Sequence, residues 1–178
     1  MSLINKLRRF TGAKRGLAAL EFAIIAPMMI FLLFGSVDLL DVLGANKRAQ
    51  NAAASLADVV ARDTEVSNDE LTGLWSALEV LMFPDDASNM HVRITSVSIV
   101  NSSTARVVWS AGHGMSPRQV NSTVTLPAQM MTPGSSVIMA ETIYDYDAPL
   151  GFLYSNTVHM SHDAYRRSRM VDPIPRVS

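Results

Sequence analysis

The 178-residue chain predicts an α+β fold: a long amino-terminal transmembrane helix, a second short helix and a small antiparallel sheet of about four strands. Three features carry that prediction. Residues 22–37 (FAIIAPMMIFLLFGSV) run without a charge behind a basic start. Ser67 and Glu70 stand at capping-box spacing ahead of an apolar helical repeat. From residue 90 the apolar period shortens to two, between polar turns.

The first element follows from charge and length. Residues 1–16 hold Lys6, Arg8, Arg9, Lys14 and Arg15 and no acid. The remaining ten basic and sixteen acidic residues give 17–178 a net charge of -6, which argues against a body that neutralises nucleic-acid phosphates. At about 1.5 Å per residue, the positions from Leu17 to Val37 span roughly 31 Å, close to the ~30 Å hydrocarbon thickness of a bilayer. Glu21 alone interrupts them. Five cations precede this span, whereas Asp38, Asp41, Lys47 and Arg48 cancel behind it. The amino end is therefore expected in the cytoplasm and everything after about residue 43 on the far side. A cleavable secretory signal fits poorly, because the apolar run exceeds about 15 residues and no small-x-small site follows it.

Within the span, Glu21 and Pro27 break the rules of an ordinary anchor. An intramembrane carboxylate calls for a partner. Pro27 removes a backbone donor and crowds the carbonyl of Ala23, a distortion membrane helices tolerate where neighbours pack around it. Ala19, Ala23 and Ala26 form a small-residue stripe that lets another helix approach.

Gly16, four apolar residues, Glu21-Phe22 and the long apolar run resemble the processing signature of type IV prepilins. The wider string from 16 to 62 (GLAALEFAIIAPMMIFLLFGSVDLLDVLGANKRAQNAAASLADVVAR) is similar to the TadE-like pseudopilins of tight-adherence (Flp) pili. Where that family often has a glutamate after the apolar run, this chain has Asp38. The resemblance implies a cut between Gly16 and Leu17 by a prepilin peptidase, with Glu21 and Phe22 retained for recognition and assembly. It also implies residence in the bacterial inner membrane, and as partners the bilayer, sibling pilins and the pilus assembly platform. Major subunits of this class resemble little more than the helix, whereas residues 63–178 follow it here. A minor pilin acting in pilus initiation or assembly is the expectation. The competing expectation is an unprocessed single-span anchor whose exported domain binds a partner or scaffolds an envelope complex.

Glu21 has a physical account of its own. In a helix that starts at Leu17 it lies one turn along, about 6 Å. It can reach the amine that cleavage frees, or the same amine of a neighbour. That amine, with a pKa of about 7.7 to 8.0, is largely protonated at neutral pH, whereas the uncut chain has an amide there. The alternative is that Glu21 merely reaches the cytoplasmic headgroups.

Beyond the span, Val42, Leu43, Ala49, Ala52, Ala53, Leu56, Val59 and Val60 continue at helical spacing, so one helix is expected over 17–62. Residues 17–43 form its membrane half, residues 44–165 an exported pilin-like domain that includes its second half, and residues 166–178 a mobile tail. The second helix begins at Ser67, with Val66 and Leu71 as a hydrophobic staple. It buries Leu71, Leu74, Trp75, Leu78 and Leu81 and stops at Pro84. Strands are expected over 91–100, 104–110, 119–126 and 137–147, with Asn101-Ser102-Ser103 as a hairpin turn. The apolar phase shift between Ile94 and Val97 suggests a bulge. Residues 141–165 loosely resemble the carboxyl end of TadE-like proteins.

The domain offers little chemistry. The absence of cysteine excludes disulfides, CxxC redox centres, cysteine nucleophiles and Cys-ligated metals. His159, His162 and Asp163 are the nearest approach to a metal set. Asp145 and Asp147 lie about 7 Å apart on one side of a strand, but alternating Tyr-Asp-Tyr-Asp reads as Tyr144 and Tyr146 inward and the acids in water. No phosphate loop, GxSxG elbow or HExxH is present. Neither enzymatic activity, a cofactor, a small-molecule substrate nor a nucleic acid is expected. Two Asn-x-Ser/Thr strings, at Asn101 and Asn121, keep a glycosylated anchor formally open.

Overall fold

The computed structural model describes the backbone from Lys14 to Ser178 and the side chains from Leu17 onward. The basic leader expected over residues 1–16, including Lys6, Arg8 and Arg9, therefore lies almost wholly outside the described residues. Helix α1 is Lys14–Val60 and α2 is Asn68–Met82. The strands are β1 (Met90–Asn101), β2 (Thr104–His113), β3 (Thr123–Val124), β4 (Ser136–Tyr146) and β5 (Val158–Arg167). They form one antiparallel sheet in the order β3-β2-β1-β4-β5.

The second half of α1 lies across β4 and β5. Its buried stripe is Val42, Ala45, Ala49, Ala52, Ala53, Leu56, Ala57 and Val60. Five of these eight are alanines, so the helix backbone approaches the sheet closely while Leu56 and Val60 fill the gaps. Leu43 and Val59, read as part of the apolar face, are 55% and 49% exposed, because a helix touching one sheet buries a narrower stripe than its apolar content suggests. Helix α2 starts as its capping box requires: Ser67 Oγ accepts from Glu70 N at 3.2 Å and Glu70 Oε2 accepts from Ser67 N at 2.6 Å. Val66, Leu71 and Leu78 are buried, whereas Leu74, Trp75 and Leu81 are half-buried.

The sheet has two cores on opposite faces. Met90, Val92, Ile94, Ile138, Ala140, Tyr144, Tyr146, Met160 and Ala164 pack under α1 and α2. Val97, Ile99, Ala105, Val107, Val124, Leu126, Val137 and Met139 form a second cluster on the other side, backed by Met130 and Met131. This explains the phase shift in β1, which changes its buried face halfway along. The bulge is real but sits on the partner strand: Ser96 pairs with Trp109 and Val97 with Val107, leaving Val108 extra, while pairing with β4 runs through unbroken.

Three expectations need correction. The third strand, read over 119–126, shrinks to two residues, because Asn121 turns with φ 64° and Ser122 then folds on to Gln119. Strand β5 was not read from the sequence at all: at the sheet edge it buries only Met160 and Ala164 among polar neighbours, so no apolar alternation marks it. The segment 166–178 does not hang free. Ile174 is fully buried, its carbonyl accepts from Trp109 Nε1 at 2.8 Å, and Pro175 and Val177 bond the backbone of Val66. A single large apolar side chain between prolines holds the segment, a signal too small for composition to reveal.

Candidate functional site

The part of α1 that its own domain leaves bare is the first candidate. Leu17, Leu20, Phe22, Ile24, Ile25, Met28, Met29 and Ile30 are all more than half exposed. The segment is long and apolar enough to cross a membrane. The Gly16–Leu17 bond falls inside the first turns of α1, and Pro27 lies within the helix, which continues past it to Val60. Ala19 and Ala23 are exposed and Ala26 half-buried. Glu21 is exposed, with no hydrogen bond or ion pair among the described residues. At about 100° per residue, Glu21 points some 140 to 160° away from the Ala19-Ala23-Ala26 stripe. The carboxylate and the small-residue stripe therefore face different neighbours.

Where the bare half meets the domain, the structure shows a joint that the sequence reading missed. Asp38 is completely buried. Its Oδ2 accepts from the backbone N–H groups of Phe152 and Leu153 at 2.6 and 2.7 Å, while Oδ1 has no partner among the described residues. These donors belong to the β4–β5 loop, which folds back along α1. The Phe152 ring centroid lies 5.3 Å from that of Phe31 and 6.0 Å from that of Phe34. A clue was present: no charged residue stands between Asp147 and His159, where Leu150, Phe152 and Leu153 cluster.

Several polar groups of the domain are engaged in its own structure. Tyr144 and Tyr146 point inward, as the alternation requires. Burial, then the charges of Asp85 and Asp86, push the Tyr144 phenol up to about 12, and its hydroxyl donates to the Asp86 carbonyl. Asp145 pairs with His159 at 2.7 Å and Asp147 accepts from the Thr157 hydroxyl at 2.6 Å. His162 occupies the other face of β5, against Asn46 Oδ1 of α1 at 2.9 Å, so the two histidines do not converge. Among the described residues no group of three His, Asp or Glu is placed to hold a metal. On the face away from α1, Glu141 receives Arg93 (2.7 Å to each oxygen) and Arg118 (2.7 and 3.2 Å). Burial pushes the Glu141 carboxyl up, but the hydrogen bonds and charges of the two arginines outweigh it and hold it below the usual glutamate range.

A groove of about 590 Å³ beside α2 is lined by Trp75, Glu79, Asp85, Asp86 and His113, with the Trp75 and His113 rings stacked at 5.6 Å. Its two aspartates are already engaged: Asp85 binds Arg48 Nε at 2.7 Å, and Asp86 caps Ser88 N.

The exposed apolar helix thus stands out from a domain in which Glu141, Asp145, Asp147 and His162 are each paired internally. Residues 16–58 match the family model described as TadE-like protein, a stretch that runs from the Gly16–Leu17 bond to the part of α1 docked on the sheet. No match is found among curated proteins or solved structures. Over residues 16–58 the chain is therefore similar to TadE-like proteins.

Proposed function

We propose that this chain is a minor pilin, or pseudopilin, of a tight-adherence pilus. It is made as a precursor in the bacterial inner membrane with its amino end in the cytoplasm. A prepilin peptidase cuts after Gly16, and the trimmed subunit packs through α1 against sibling pilins to initiate or assemble an adhesive filament. The observation that carries this reading is the division of α1: one half is spent on its own sheet, and the other, Leu17–Val37, offers apolar surface to lipid or to other helices.

Cleavage supplies the switch between those two uses. Before the cut, Glu21 has no cation within its own turn; afterwards the Leu17 ammonium lies about 6 Å away along the axis. Pairing with that ammonium, or with a neighbour's, offsets the cost of burying the carboxylate among helices, about 2.5 to 3.5 kcal/mol at mid-bilayer. The Ala19-Ala23-Ala26 stripe admits a second helix on the opposite side. Because the chain lacks cysteine, Ala23→Cys is a clean crosslinking probe. It is expected to capture a sibling pilin in cells, and adding Glu21→Gln is expected to reduce the crosslinked fraction severalfold without blocking the cut. Glu21→Gln entering filaments as efficiently as the native chain would refute the role of the carboxylate.

A further inference from the structure

We propose that the β4–β5 loop, residues 147–157, is a second membrane-contacting element, whose apolar tip lies in the leaflet on the domain's side of the bilayer, beside α1 and fastened to it by Asp38. The depth argument is geometric. Phe31 precedes Asp38 by seven residues, about 10 Å along the helix axis toward the bilayer centre. The Phe152 ring packs on Phe31 and Phe34, and the Leu153 side chain lies against Gly35, 3.2 Å from where a Cβ would stand. Any bilayer placement that covers Leu17–Val37 therefore also covers the loop tip.

The chemistry of the loop suits that depth. Leu150, Phe152 and Leu153 remain 51%, 46% and 45% exposed even after packing on α1. Half-buried Tyr154 adds an aromatic ring of the kind that sits at membrane interfaces. Irregular backbone in hydrocarbon requires its polar groups to be satisfied. Asp38 does this for the N–H groups of Phe152 and Leu153, and Gly151, at φ 61°, turns the chain so that both N–H groups meet one carboxylate oxygen. Asp38 is thereby kept out of lipid. The neck is closed by the Thr157–Asp147 hydrogen bond.

This inference rests on α1 crossing the bilayer and not on cleavage, so it stands or falls apart from the processing step. The test uses the full chain in phosphatidylcholine–phosphatidylglycerol vesicles, with an NBD fluorophore on a single cysteine introduced as Leu150→Cys. Ser102→Cys, in the exposed turn at the far end of β1, is the reference. A nitroxide on the lipid acyl chain is expected to quench the label at 150 severalfold more than the label at 102, and aqueous iodide to do the reverse. Iodide reaching both labels equally would overturn the proposal. So would a label at 150 that neither quencher reaches, which would assign the loop to a protein neighbour instead.

Discussion

Ile174→Ala is expected to destabilise the domain by about 3 kcal/mol, within the ~2 to 5 kcal/mol range of large-to-small substitutions at packed sites. The residue stands 113 positions after Ala61 in the sequence, yet it fills the core under α1 and α2, and its carbonyl receives the indole N–H of Trp109. Loosening it also threatens that hydrogen bond, and a buried indole N–H left without a partner costs about 1 to 3 kcal/mol. Denaturant unfolding of the full chain in detergent, followed by tryptophan fluorescence, measures the effect. A change of about 0.5 kcal/mol or less, the usual result at an unconstrained surface position, would mean that the carboxyl-terminal segment is not part of the core.

Glu141→Gln is expected to cost about 2 kcal/mol at neutral pH, because it leaves two partly buried guanidinium groups without their countercharge. The pH dependence has a definite sign. The carboxyl of Glu141 is held below its ordinary value in the folded state, so its contribution is fully present above the unfolded pKa, about 4.3, and is lost as pH falls through the lower folded value. The difference between native and variant stabilities should therefore be constant from neutral pH down to about 5 and shrink below about 4. A constant difference across the acid range would show that Glu141 acts through shape and not charge.

How much of this molecule could be read from its residues depends on how local the cause was. The capping box at Ser67 and Glu70 needs only three residues of context, and it forms as written. The exposed half of α1 is legible because, among the described residues, little beyond the β4–β5 loop at Phe31, Phe34 and Gly35 packs on it. Burial of the other half is less so: Leu43 and Val59 follow the same spacing as Val42 and Val60, and only the position of the sheet decides which side is covered. Strand β5 and the Ile174 anchor escape for a related reason, since each contributes one or two buried side chains to a core assembled by the rest.

Asp38 is the instructive case among the functional residues. Its place just behind the apolar run is plain in the sequence, yet that does not reveal that it accepts from backbone N–H groups some 114 residues away. Glu21 and the alanine stripe have the opposite character. In the proposed assembly their partners are a freed amine and a neighbouring helix, and the fold of one subunit leaves Glu21, Ala19 and Ala23 exposed.

The mass of the amino-terminal peptide, recovered from cells that express the cognate prepilin peptidase, tests the central claim most directly. A chain that begins at Leu17, carrying a free amine one helical turn from Glu21, is the predicted result. A population that retains Met1 and the basic leader would contradict it and leave the protein as a permanent single-span anchor.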